Sequence, residues 1–315
     1  MQGPKMISPP IVMLPPELMR GIISFAVGNP REYHAILALS QASQSFRQAA
    51  LDLSWLFTEA NWDRWPTPLL DLWCKRARTQ PLTVSLSLLT IHRLALGGAP
   101  ELKALLESYS QHWGTLAFEI RLQRSDEDER RIRFVERLLQ CACPLLHTIN
   151  GQAYYSAPST EFRTLHLRPD CLPSLQTLHL YSIWPLFSAS PTSVTELAHT
   201  CTRPMHWSPL LDAVKACRHI QRLTIDSWGY HEGNPITFPD ASGKVVLPSL
   251  TLLELWGLAA KLSPAISQFL SYCDIPKLES LNIWVSARLP GVFRSLCQDL
   301  VTHRSCFCHA RSQTD

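Results

Sequence analysis

One phrase, L-x-x-L-x-L, recurs along most of this chain and constrains its fold more than any other feature. It reads LPSLQTLHL (Leu175, Leu178, Leu180), IQRLTI (Ile220, Leu223, Ile225), LPSLTLLEL (Leu250, Leu253, Leu255) and IPKLESLNI (Leu278, Leu281, Ile283), with shorter copies in WGTLAFEI (Leu116, Phe118) and FRTLHLRP (Leu165, Leu167). Its alternating end has the period of a strand, and helix-like stretches fall between copies, over 101–110, 132–141, 208–217, 264–272 and 290–302. Leu223 and Leu253 lie 30 positions apart, and Leu253 and Leu281 lie 28 apart, which is the length of one strand, turn and helix. Leu165 and Leu178 are separated by only 13, so that pair reads as a repeat without a full helix. One such unit cannot bury its apolar face alone, but stacked units build a continuous core and a curved parallel sheet. The template leucines then point inward, and the residues between them, including Gln176, Thr177, Gln221, Glu279 and Ser280, point out.

Upstream of the repeats the pattern is helical. In MLPPELMRGIISFAVGNP, Pro15 and Pro16 suit the first helical positions, where a missing N–H has no intrahelical partner, and Glu17 suits the positive end of the helix dipole. Leu18, Ile22 and Phe25 fall at i, i+4 and i+7 beside Ile23 and Ala26, and Gly28, Asn29 and Pro30 end the helix. Taken alone, the apolar face serves equally well for packing on its own domain or for a partner. Residues 33–56 read as two or three short helices ending at Trp55, 69–78 as a helix and 82–88 as a strand.

Several functions lack support. The net charge is +3 with no basic stripe, which argues against nucleic acid, and no window of about 18 apolar residues free of charge suggests a membrane span. Prolines and charges interrupt the first thirty residues where a signal peptide needs an apolar run, so a cytoplasmic or nuclear setting is expected, with the ten cysteines reduced and mostly serving as small core residues. No phosphate-cradling glycine loop, HExxH or G-x-S-x-G occurs, so no enzyme and no cofactor are expected. The run SDEDERR, 125–131, reads as a solvated loop that caps the following helix. His303, Cys306, Cys308 and His309 in the tail are too tightly spaced for one tetrahedral zinc site.

Two resemblances join these parts. Leu14, Pro15 and Glu17, the helix residues Leu18, Ile22, Ile23 and Phe25, and then Phe46, Arg47 and Trp55 resemble an F-box, with SQSFRQAA where many members carry Cys-Arg-x-Trp. The segment LDLWCKRARTQPLTVSLSL is similar to the junction that leads into repeats in many fungal F-box proteins. Residues 82–302 resemble irregular leucine-rich repeats, although Tyr181, Asp226, Trp256 and Trp284 stand where Asn or Cys is usual. The implied fold is α/β: a small all-helical F-box over 1–60, a helix and strand junction over 61–90, a leucine-rich-repeat solenoid with a curved parallel sheet over 91–302, and a disordered tail over 303–315.

The resemblance implies a substrate-receptor subunit of a cullin-RING ubiquitin ligase of SCF type. The box would dock a Skp-family adaptor, and through it a cullin, while the repeats bind a protein substrate. It assigns Leu14, Pro15, Glu17, Leu18, Ile22, Ile23, Phe25 and Trp55 to the adaptor. His179, Tyr181, Arg222, Thr224, Trp228, Glu254, Trp256, Asn282 and Trp284 become candidates for the substrate, although the aromatic ones equally suit filling the edges of a repeat array. The alternative is a leucine-rich-repeat scaffold whose degenerate box only caps the repeats.

Overall fold

The computed structural model describes residues 14–27, 38, 41, 43–123, 126–155, 163–201, 207–227, 245–258, 269–286 and 307–313. The chain is a mixed α/β protein with a large parallel sheet. It divides into two compact units, Met1–Ser85 and Leu86–Asp315.

In the first unit, helix α1 (Pro16–Val27) starts where its prolines allow: the Pro15 carbonyl accepts from Leu18 N–H at 3.0 Å and from Met19 N–H at 3.1 Å. Met19, Ile23 and Val27 are buried along one side, and α1 packs on α2 (Gln44–Leu51), whose cap Ser43 accepts from Phe46 N–H at 3.2 Å. A short 3-10 turn, Ser54–Phe57, and α3 (Thr67–Ala77) follow. Their meeting point is aromatic. Phe57 and Trp65 each set a ring edge-on to Trp73, at centroid distances of 4.7 and 4.8 Å. The indole N–H groups of Trp73 and Trp62 donate to the carbonyls of Glu59 and Thr83, so these rings also satisfy backbone beside strand β1 (Leu82–Leu86).

The second unit opens with α4 (Leu88–Ala95) and α5 (Pro100–Ser108), followed by β2 (Trp113–Leu122), α6 (Asp126–Gln140) and β3 (Thr148–Tyr155). It continues through β4 (Thr164–Leu167), β5 (Thr177–Tyr181), β6 (Trp184–Phe187), β7 (Glu196–Cys201), α7 (Trp207–Ala216) and β8 (Arg222–Ser227). Its last described strands are β9 (Val245–Val246), β10 (Leu252–Leu258), β11 (Cys273–Asp274), β12 (Ser280–Ser286) and β13 (Phe307–Gln313). Eight strands lie side by side in the order β2-β3-β5-β7-β8-β10-β12-β13, every neighbouring pair parallel.

The pairing aligns the template residues into columns. Leu116, Ile149, Leu178, Leu197, Leu223, Leu253 and Leu281 share one row and are buried. Phe118, Gly151, Leu180, His199, Ile225, Leu255 and Ile283 form the next buried row. The second row shows why two strands escape the template. In β3 the phrase is Leu146, Ile149, Gly151, and in β7 it is Val194, Leu197, His199, so in each the last apolar residue is replaced. Glycine is required by its neighbours: a Cβ on Gly151 would run into the Phe118 ring and lie 2.9 Å from Leu180 Cδ2.

Three expectations need correction. FRTLHLRP forms β4, but β4 pairs with β6 in a separate two-stranded sheet and adds no strand to the large one. Four acidic residues of the expected solvated loop, Asp126 to Glu129, instead make the first turn of α6. Asp128 and Arg131 are buried there as a 3.0 Å ion pair, Gln123 N–H donates to both Asp128 oxygens, and Arg131 also donates to Arg121 O, Glu127 and His92 Nδ1. This network fastens the start of α6 to the end of β2, and each buried charge keeps partners, as burial demands. Finally, the tail expected to be disordered contains β13, which pairs in parallel with β12. Residues 264–268 and 290–302 of the expected helices lie outside the described residues; 269–272 are helical.

Gly151→Val should destabilise the second unit by at least about 2 kcal/mol, since overpacking forces either Phe118 or the strand to move. Denaturant unfolding of the variant checks this, and Phe118→Leu in the same chain should recover part of the loss. Equal midpoints for Gly151→Val and the unmodified chain would contradict the packing argument.

Candidate functional site

Two surfaces carry the candidate residues, one in each unit. On α1 the apolar residues divide between two sides. Ile23 is fully buried, so this residue of the expected adaptor set serves the unit's own core. Leu18, Ile22 and Phe25 stand 56%, 42% and 91% exposed, in a stripe at i, i+4 and i+7. Pro15 and Glu17 are exposed, Leu14 and Trp55 partly so. Arg20, on the same helix, pairs with Asp52 at 3.4 Å between half-exposed side chains, a contact worth little in solvent.

The second surface is the outward side of the large sheet, where the residues between the template leucines line up across strands. Glu196, Arg222, Leu252 and Ser280 share one row, and His179, Ala198, Thr224, Glu254 and Asn282 share the next. Glu196 is met by two basic side chains, His179 Nε2 at 3.2 Å and Arg222 Nη1 at 3.6 Å. Farther along, Thr224 Oγ1 donates to Glu254 Oε2 at 3.1 Å and Asn282 Nδ2 donates to Glu254 Oε1 at 3.2 Å. Both oxygens of that carboxylate are therefore held by neutral donors from the flanking strands. A third row runs through Glu119, Gln152, Tyr181, Thr200, Asp226 and Trp256. Tyr154 lies 6.0 Å from Tyr181 between ring centroids and donates its hydroxyl to Gln152. Desolvation and then the Glu119 carboxylate push the Tyr154 phenol above its ordinary value. Of the expected substrate residues, the sheet thus brings His179, Tyr181, Arg222, Thr224, Glu254, Trp256 and Asn282 to one side. Trp284 occupies β12 opposite Arg311, and Trp228 lies outside the described residues.

Sequence reasoning passed over Glu119, Gln152, Tyr154, Glu196 and Thr200 on this face. Cross-strand register is the signal that finds them: Glu119, Gln152 and Thr200 fall in the row of Tyr181, Glu196 falls in the row of Arg222, and Tyr154 lies two positions beyond Gln152 on β3. Among the described residues, no group of three His, Cys, Asp or Glu side chains is placed to hold a metal ion, and no helix is long and apolar enough to cross a membrane. Cys308 and His309 occupy consecutive positions of β13, while His303 and Cys306 lie outside the described residues. The thiols of Cys74, Cys143, Cys217 and Cys273 are free and buried, and burial pushes each up to about 12, far from thiolate chemistry at neutral pH.

No family model, curated protein or solved structure matches this chain.

The most displaced titratable group lies on the opposite, buried side. His199 fills an apolar column between Leu180 and Ile225, stacks on Trp184 at 3.7 Å, and among the described residues neither ring nitrogen has a hydrogen-bond partner. Desolvation pushes its pKa down from 6.5 to about 3, so the folded chain holds it neutral. The unfolded chain takes up the proton first. His199 therefore costs nothing in ionisation above about pH 6.5, and it subtracts up to about 1.4 kcal/mol per pH unit as pH falls from there toward 3. His199→Leu should remove this slope. Unfolding free energies of the two chains should diverge between pH 7.5 and 5, and parallel profiles would show that the imidazole is solvated.

Proposed function

We propose that this chain is a substrate-receptor subunit of an SCF-type cullin-RING ubiquitin ligase, with an F-box that docks a Skp-family adaptor and leucine-rich repeats that bind the substrate protein. The observation that carries this reading is the second apolar stripe of α1. A helix that already buries Met19, Ile23 and Val27 in its own unit still presents Leu18, Ile22 and Phe25 to solvent. A protein that acts alone gains nothing from exposing such a row, and an apolar helix face of this spacing suits a groove on a partner. Leu14, Pro15 and Glu17 lead into the same stripe.

The second support is the sheet itself. The L-x-x-L-x-L copies in β5, β8, β10 and β12 pair in register within the parallel sheet, as stacked leucine-rich repeats would. Their outward rows are polar and aromatic, and such rows can diverge to fit a partner without disturbing the buried columns. No bond is made or broken by the chain in this role. It holds a substrate lysine at high effective concentration near an E2 enzyme carried elsewhere in the complex. The alternative, a box that only caps the repeats, gives Leu18, Ile22 and Phe25 no partner beyond the chain, although the core of their own unit leaves them outside.

Co-purification with a Skp-family adaptor tests the proposal. The unmodified chain should bind, and Leu18→Ala, Ile22→Ala and Phe25→Ala together should abolish binding, because buried anchors of this kind each carry about 2 kcal/mol or more. The same triple variant should keep its unfolding midpoint, since surface changes away from structural features stay within about 0.5 kcal/mol. An unmodified chain that ignores the adaptor would overturn the ligase role and leave a repeat scaffold with a capping box.

A further inference from the structure

We propose that the outward face of the parallel sheet docks an extended, arginine-bearing segment of a partner protein, centred on Glu254 and Trp256. The inference deepens the substrate-binding role given to the repeats and rests on it. Its first ground is charge. Glu119, Glu196, Asp226 and Glu254 share this face with Arg121 and Arg222 and, in register with Trp284 on the edge strand, Arg311, and Arg222 is already engaged with Glu196. The whole chain carries +3, whereas among the described residues this face gathers four carboxylates against three arginines.

The second ground is how Glu254 is held. Thr224 and Asn282 orient its two oxygens from both sides, yet both donors are neutral, and among the described residues Glu254 and Glu119 make no ion pair. The charge of Glu254 is therefore fixed in direction without being cancelled. Trp256 follows two positions later on the same side of β10, and Asp226 is its register partner on β8. A guanidinium suits such a place better than an ammonium, because its planar fork matches carboxylate oxygens and its face stacks on an indole. Nucleic acid, with its phosphates, has the wrong sign.

The third ground is extent. Glu119 on β2 and Glu254 on β10 stand five strands apart in the sheet order, about 24 Å at ordinary strand spacing. An extended segment of about seven residues spans that distance and reaches both carboxylates, passing Tyr181 between them.

Fluorescence anisotropy with short labelled peptides tests this on the full chain. The probes alternate Ser with Arg, with Lys or with Glu. The Arg peptide should bind most tightly, the Lys peptide more weakly and the Glu peptide not at all, with affinity falling as salt rises. Glu254→Gln keeps the shape and the hydrogen bond from Asn282, with the Thr224 hydroxyl turning to accept from the new amide, while removing the charge, and should weaken the Arg peptide by about tenfold with an unchanged melting temperature. Glu119→Gln should weaken it less. Failure of the Arg peptide to bind, equal binding of Arg and Glu peptides, or indifference to Glu254→Gln would each overturn the proposal. Adaptor binding measured on the same preparation reports on α1 alone, so failure of the ligase role and failure of this face are read separately.

Discussion

One repeated hydrogen-bond arrangement governs the second unit. At the start of successive strands a single carbonyl accepts two consecutive N–H groups from the next strand. His147 O receives Gln176 and Thr177, Gln176 O receives Thr195 and Glu196, and Thr195 O receives Gln221 and Arg222. Gln221 O then receives Thr251 and Leu252, and Thr251 O receives Glu279 and Ser280. Each pair sets the register of the strand that follows, and a slip of one residue would turn every inward leucine outward. The buried columns and the outward rows are thus two consequences of one constraint. That is why Thr224, Glu254 and Asn282, far apart in sequence, meet as neighbours.

Where the columns are filled by leucine or isoleucine, the sequence was legible. The strands β5, β8, β10 and β12 and the helix before β8 stand where periodicity placed them. It failed where packing overrode the pattern. Gly151 breaks the phrase in β3 because the Phe118 ring fills the space that a side chain would need, and His199 breaks it in β7 because an imidazole stacked on Trp184 replaces an aliphatic group. Both are accommodations to a neighbouring strand, and no local window contains the neighbour. FRTLHLRP misled for the complementary reason: its alternation is that of a real strand, but Leu165 and Leu167 are buried in a different sheet. Alternation reports a strand and its buried side, not which sheet receives it.

The same distinction applies to charge. Composition made SDEDERR look like a solvated run, and most of its members are exposed or half-exposed. Asp128 and Arg131 depart because each satisfies the other while also closing backbone groups at the end of β2, so burial leaves neither charge bare. The outward face presents the opposite case. Its residues were partly legible from alternation, but the choice of Glu254 over Glu279, also a carboxylate near a template leucine, needed the register, which puts Thr224 and Asn282 on either side of Glu254.

On α1 a similar separation decides what the helix can offer. Sequence spacing groups Leu18, Ile22, Ile23 and Phe25 into a single apolar helix, and 100° per residue is too coarse to tell a wide stripe from two narrow ones. Folding divides them. Ile23 joins Met19 and Val27 in the core, which stabilises the unit by about 1.5–3 kcal/mol for that side chain alone. The others remain outside, where their exposure carries no benefit to the chain's own stability. A helix anchored by one stripe can present the other without losing its conformation, so a partner meets side chains already in place and gives up less ordering entropy on binding. Under the proposed role, the division between anchored and presented residues would let α1 meet its partner as a preorganised surface.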